Sequence, residues 1–173
     1  TSLGFRGEAL ASISAVAKVR LRTWNGKEKS GTQLIVEQGE VKAIENAPLR
    51  RGTVVEVTDL FYNTPARYKY LKSTATELSH ISHFINRLAL ARPDVAFQLN
   101  HHDRNLVSSP GKGDRIGVLS SIYGLQVARQ MIPFQAEHID FIIEGFLSRP
   151  EVTRANRQHL TTVINQRYVK HYG

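Results

Sequence analysis

At 173 residues, with 41% hydrophobic and 22% charged side chains, the chain suits one ordinary domain or two small ones with a normal soluble core. A formal net charge of +8 favours a polyanionic partner such as nucleic acid. With no cysteine, a disulfide framework and thiolate metal sites are excluded, and no apolar run approaches the roughly 18–20 residues that span a bilayer, so no membrane partner is expected.

The chain opens T-S-L-G-F-R-G-E-A-L and continues A-S-I-S-A-V-A. Gly4 and Gly7 flank Phe5 and Arg6, and Leu10, Ile13 and Val16–Ala17 then recur at helical spacing. Glycines just before a helix free its first N–H groups to face a ligand, a seat for phosphate at the positive end of the helix dipole. Two such glycines serve a plain turn equally well. Glu8 falls in the first helical turn, where its charge suits the dipole, and nothing in its spacing makes it a catalytic base.

Lys18–Trp24 alternates Val19, Leu21 and Thr23 with Lys18, Arg20 and Arg22, which predicts a half-buried strand. The three basic side chains on one face meet either phosphates or plain solvent. Asn25-Gly26 predicts a tight hairpin turn, Thr32–Glu37 a strand, Gln38-Gly39 a second turn and Glu40–Ile44 a short strand. Gly52–Val57 predicts another strand. Pro65 suits the first turn of a short helix capped by Thr64 and carrying Arg67, Lys69 and Lys72. The aromatic and basic residues of Phe61–Leu71 alternate as a helix with a buried stripe demands, although Tyr62, Tyr68 and Tyr70 could also stack bases.

A longer helix follows. Thr74 and Glu77 have capping-box spacing, Leu78, Ile81, Ile85 and Leu88 form a seam joined by Phe84 and Ala91, and Pro93 stops it. Val95–Leu99 and Asn105–Val107 predict a hairpin across His101-His102-Asp103. Ser108–Gly113 has the composition of a linker, which places a domain boundary there: residues 1–111 and 112–173. Asp114 caps a helix running to about Tyr123, with Ile116, Leu119 and Ile122 on one side and Gly124 as its stop. Gln130–Glu137 and Asp140–Leu147 predict paired strands, and His159–Asn165 a further one. Segregated strands and helices predict an α+β chain rather than a doubly wound parallel sheet.

No complete catalytic set is legible. There is no G-x-x-x-x-G-K-[ST], so a P-loop enzyme is excluded. His80 and His83 lie three apart but find no third ligand at a telling spacing, and no metal site is assigned. The serines lack a nucleophile context.

Two strings then carry more than composition does. G-F-R-G-E-A-L-x-S-I and G-T-V-V-E-V-T-D-L-F-Y-N-T-P-A-R-Y-K-Y-L, at Gly52–Leu71, resemble two successive motifs of the MutL family of DNA mismatch-repair ATPases. The resemblance continues loosely to N-Q-R-Y-V-K near the end. It implies the C-terminal part of a Bergerat-type ATPase sandwich, the fold shared with gyrase-type ATPases and histidine kinases, followed by the start of a ribosomal-protein-like second domain of left-handed βαβ type. It implies that Gly4, Arg6, Gly7 and Leu10 hold the ATP phosphates, with Phe5, Glu8 and Ala9 shaping the loop. Thr53 lies beneath the adenine, and Asn63, Pro65, Ala66 and Arg67 support the nucleotide lid.

The family's catalytic Glu, its Mg²⁺-binding Asn and its D-x-G-x-G stretch belong to an earlier segment, and a lysine reaching the γ-phosphate to a later one. The chain starts without Met inside a motif, so the resemblance implies an internal piece of a larger protein. That parent binds ATP and Mg²⁺, whereas the piece alone is expected to bind neither and to be inactive. The resemblance further implies that the parent dimerises, as a homodimer or a family heterodimer, and couples a MutS-type mismatch sensor to strand incision and removal. It implies a cytoplasmic, nucleoid-associated location in a bacterium and a nuclear one in a eukaryote. DNA contact, non-specific and through phosphates, falls to Arg149, Arg154, Arg157, Arg167 and Lys170, five cations against Glu151 in residues 149–173. A non-enzymatic nucleic-acid-binding module and another ATPase of the same superfamily are the alternatives.

Overall fold

The computed structural model describes residues 7–152 and 159–170. The chain divides into two compact units, Thr1–Ser73 and Thr74–Gly173. Every strand pair among the described residues is antiparallel, and the architecture is α+β.

In the first unit, helix α1 (Ala9–Ser14) precedes a four-stranded sheet of β1 (Lys18–Trp24), β2 (Gly31–Glu37), β3 (Glu40–Ala47) and β4 (Gly52–Thr58), in the order β3-β2-β1-β4. Period-two alternation puts Val19, Leu21 and Thr23 on one face with their partners Val36, Leu34 and Thr32 of β2 and Val57, Val55 and Thr53 of β4. The other face carries Lys18, Arg20 and Arg22, and each finds a carboxylate. Arg22 meets Glu56 at 2.6 Å, Arg20 meets the other oxygen of Glu56 at 3.5 Å, and Lys18 meets Asp59 at 2.9 Å. This is a solvated, charge-balanced outer face, not a phosphate row.

Three local expectations are corrected here. Asn25-Gly26 is not a two-residue hairpin. β2 begins only at Gly31, because Asn25 Oδ1 accepts from the Lys27 N–H in an Asx turn and the Trp24 indole donates to the Glu28 carbonyl at 2.9 Å, fixing a wider loop. The first helix does not reach Val16–Ala17. It ends at Ser14, and Leu10 is 46% exposed while Ala17, beyond the helix, is fully buried. Thr64 occupies the N-cap position of α2 (Pro65–Tyr68) but makes no capping bond. Its φ of −135° and ψ of 70° leave the extended geometry from which a cap hydroxyl reaches back, and Oγ1 is buried without a partner. The Gln38-Gly39 turn forms as expected, both residues at positive φ.

The second unit is built on α3 (Thr74–Ala91), whose Ala89 and Ala91 are buried. The expected seam is only partly covered, since Ile81 and Phe84 are exposed. Pro93 ends the helix, and the Arg92 guanidinium forks onto Asp94 at 2.6 and 2.8 Å. β5 (Ala96–His101) and β6 (Arg104–Pro110) form a hairpin turning at His102-Asp103.

The linker composition of Ser108–Gly113 misleads. Ser108–Pro110 completes β6, where the buried Ser109 hydroxyl accepts from the Phe97 N–H at 3.0 Å, and the Gly113 N–H donates to the Pro93 carbonyl at 2.9 Å. These six residues lie inside the second unit. Asp114 caps α4 (Arg115–Tyr123), its Oδ1 accepting from the Ile116 N–H at 3.0 Å, and Gly124 stops it at φ +86°. The short α5 (Leu125–Ala128) follows, unforeseen in the sequence. Val118 of α4 is the largest fully buried side chain described, and Leu119 and Ala128 join it. β7 (Met131–His138) pairs with β8 (Phe141–Ser148), and β9 (Thr162–Ile164) with β10 (Arg167–Val169). The predicted strand at His159–Asn165 is thus shorter, because Asn165 and Gln166 take positive φ to turn the hairpin.

Candidate functional site

The two motif strings meet at α1. Gly7 enters the helix at φ +69°, with nothing within 4 Å of where a Cβ would stand. Glu8 sits at the N-cap position, exposed, with no side-chain cap bond. The first intrahelical bond runs from the Ser12 N–H to the Glu8 carbonyl at 2.9 Å, so the N–H groups of Ala9, Leu10 and Ala11 have no helical partner. Free N–H groups of this kind at a helix start are able to face an anion. Gly4, Phe5 and Arg6 lie outside the described residues.

The other end of α1 is tied down. The Ser14 carbonyl accepts from the Gly39 N–H at 2.9 Å, the Ala15 carbonyl from the Asn63 side-chain amide at 2.9 Å, and the Val16 carbonyl from the Phe61 N–H at 2.7 Å. These bonds compete with further helical turns, and the Ser14 hydroxyl reinforces the stop by bonding back to the Ala11 carbonyl at 3.0 Å. That is why α1 ends four residues before β1 begins.

The loop after β4 is correspondingly rigid. Asp59 and Phe61 hold left-handed φ values of 53° and 65°. Lys18 bonds Asp59 and lies 5.5 Å from the Tyr62 ring centroid. The hydrogen bond and charge of Asp59 hold the Lys18 ammonium above its ordinary pKa of 10.5. The part of the stabilisation that depends on the Lys18 charge is therefore fully present below the ordinary lysine value and is lost as pH rises through the raised one.

Of the residues singled out in the sequence, Asn63 joins α1 directly, while Pro65, Ala66 and Arg67 follow in α2. Thr53 does not join this cluster. It lies near the start of β4, exposed, its hydroxyl 2.8 Å from that of Thr23. Arg149 follows β8, and its backbone N–H donates to the Gln130 carbonyl at 3.1 Å. Arg167 lies on β10 and Lys170 just beyond it, both exposed, while Arg154 and Arg157 lie outside the described residues. The buried stripe expected through Phe61–Leu71 is absent: α2 buries no residue, and Tyr68 and Tyr70 are 61% and 81% exposed. A helix of four residues is too short to present a stripe to anything. Sequence reasoning missed the Gly39 and Phe61 contacts, because backbone donors leave no trace in residue identity. Among the described residues, no three His, Cys, Asp or Glu side chains gather to hold a metal, and no helix is long and apolar enough to cross a membrane.

Comparison with known proteins places the chain. The profile of a family described as "DNA mismatch repair protein, C-terminal domain" matches residues 119–173. DNA mismatch repair protein MutL of Geobacillus sp. (strain WCH70) is 47% identical over 169 residues, 98% of this chain and 27% of that protein. MutL of Lacticaseibacillus paracasei is 53% identical over 171 residues, 99% of this chain and 26% of that protein. A solved structure, the Aquifex aeolicus MutL ATPase domain complexed with ADP, superposes with a TM-score of 0.80 at 30% identity, covering 95% of this chain and 63% of that one. Fold and motifs thus define a chain of the DNA mismatch-repair class with the architecture of an ATPase domain. The chain belongs to the MutL family, and it spans about a quarter of the length of the relatives it matches.

Proposed function

We propose that this chain supplies the phosphate-facing helix and part of the transducing region of an ATP-driven mismatch-repair protein. The observation that carries the reading is the asymmetry of α1: amides with no helical partner at one end, and three hydrogen bonds from two loops at the other. An anion seated on the Ala9–Ala11 amides would be felt at the Gly39 turn and the Asn63 loop, because the helix between them is a single short rod. The family resemblance assigns Gly4, Arg6, Gly7 and Leu10 to the seat, and Phe5, Glu8 and Ala9 to shaping the loop. Asn63, with Pro65, Ala66 and Arg67 behind it, is the support. Thr53 is assigned to the adenine side by the family resemblance alone.

N–H groups gathered at a helix start suit a phosphate chain such as that of ATP. Among the described residues no three His, Cys, Asp or Glu side chains gather as a seat for Mg²⁺. A nucleotide that binds the closed arrangement better than the open one shifts the population by that difference in affinity, and this is how the seat would switch a dimer. The reading extends to a MutS-type sensor as partner, to cytoplasmic location, and to phosphate contacts from Arg149, Arg154, Arg157, Arg167 and Lys170 on DNA. DNA held by these cations is expected to leave the chain as salt rises.

The test is a chimaera in which the 169 matched residues of the Geobacillus protein are replaced by this chain. The chimaera is expected to hydrolyse ATP and to lower the mutation rate of a strain lacking its own MutL, while the isolated chain gives no turnover above a mock purification. Turnover by the isolated chain, or an inert chimaera that folds, would overturn the proposal.

A further inference from the structure

We propose that Arg67-Tyr68-Lys69-Tyr70 is a contact site for single-stranded nucleic acid, separate from the cations of residues 149–170. It rests on the reading that the chain serves DNA repair, and it adds a strand preference to that reading. Tyr70 is 81% exposed and Tyr68 61% exposed, which leaves two large rings open to solvent within three residues. The charge around them is equally uncompensated. In the same unit Lys18, Arg20, Arg22 and Lys42 are each held by a carboxylate, whereas among the described residues no carboxylate pairs with Arg67 or Lys69, nor with Lys27, Lys29, Arg50 or Arg51.

The ribbon is also preset. Pro65 starts the turn, and the N–H groups of Tyr70 and Leu71 donate to the carbonyls of Arg67 and Tyr68 at 3.0 and 3.2 Å. The backbone therefore needs little further ordering when a ligand arrives, and a tyrosine ring has few torsions to freeze.

Uncompensated cations beside free ring faces match one polyanion in particular. Any nucleic acid has phosphates for Arg67 and Lys69, but only unpaired bases have faces open to Tyr68 and Tyr70. Duplex DNA buries those faces in its own stack, so the tyrosines should contribute to single-strand binding and little to duplex binding.

The experiment uses the 173-residue chain and two fluorescent probes, an oligothymidine of about 20 nucleotides and a duplex of similar length, titrated by anisotropy between about 50 and 200 mM salt. The paired change Tyr68→Ala with Tyr70→Ala is expected to weaken oligothymidine binding about tenfold or more and to leave the duplex nearly unaffected. Tyr68→Phe with Tyr70→Phe keeps the rings and should stay within about twofold. Lys69→Gln should reduce the log–log salt slope on the single strand by about 0.7. Thermal melts of all variants should coincide, since neither ring is buried. Unchanged oligothymidine binding by the alanine pair, or a phenylalanine pair as weak as the alanine pair, would overturn the site while leaving the DNA contacts of residues 149–170 standing. Failure of the parent chain to bind either probe would overturn both.

Discussion

Gly111→Ala is expected to lower the melting temperature of the second unit by about 10 °C or more, the largest stability effect of a methyl added at any described glycine. Two costs coincide there. Gly111 sits at φ +66°, where an L side chain costs about 1–2 kcal/mol. A Cβ would also press into the start of β5, on the amide nitrogen of Ala96, on the Val95 carbonyl carbon at 2.8 Å and on the Ala96 Cα at 2.9 Å. Those are backbone atoms, so no rotamer change relieves the overlap, and overpacking of this kind adds about 1–3 kcal/mol. Gly113→Ala separates the two costs. Its φ is +77°, but nothing lies within 4 Å of its Cβ position, so only the backbone cost of about 1–2 kcal/mol should appear. Urea unfolding of both variants measures the difference. Equal losses would show that the close approach of Gly111 to β5 is not what the residue is conserving space for.

The same residues show how far the sequence could be read. Alternation in Lys18–Trp24 announced a strand, and the faces of its partners followed because a one-residue slip would take Val36 or Val57 off the face that Val19 shares with them. Asp114 and Gly124 bracketed α4 correctly, since capping and a left-handed stop are local chemistry. Ser108–Gly113 failed for the opposite reason. Serine, proline and glycine are what a linker uses, and they are also what a buried hydroxyl and a backbone-tight turn require; composition cannot tell these apart until Ser109 is seen inside the Val95–Phe97 backbone. Thr64 is similar. Its position before Pro65 is right for a cap, but whether a hydroxyl reaches the turn depends on two torsions that no neighbour in the sequence dictates.

The candidate site divides along the same line. The glycine before α1 and the Asn-Thr-Pro string are legible because they are specific strings. What joins them is not: two of the three bonds that fasten α1 come from backbone N–H groups of Gly39 and Phe61. The left-handed φ values at Asp59 and Phe61 are the trace of that fastening. Non-glycine residues hold such torsions when surrounding bonds over-determine them, and here the Lys18–Asp59 pair and the Phe61–Val16 bond do so.

Gly7→Val is expected to reduce ATP turnover of the Geobacillus chimaera about 10- to 100-fold while barely moving the melting temperature of the isolated chain. The torsion decides it. At φ +69° a β-branched residue is strained by about 1–3 kcal/mol, and each 1.4 kcal/mol is a factor of about ten. In the isolated chain the strain has an easy release, because nothing lies within 4 Å of the Cβ position and the first turn of α1 is exposed, so residue 7 can relax to negative φ. That relaxation re-aims the chain leading into α1, so that it no longer lines up with the Ala9–Ala11 amides around a phosphate. Gly7→Asn is the control, since asparagine tolerates the left-handed region while adding a similar bulk. It should retain turnover within about threefold of the parent chimaera. Were valine and asparagine to fail alike, bulk rather than torsion would be responsible. Were valine to leave turnover intact, the amides at the start of α1 would not be the phosphate seat.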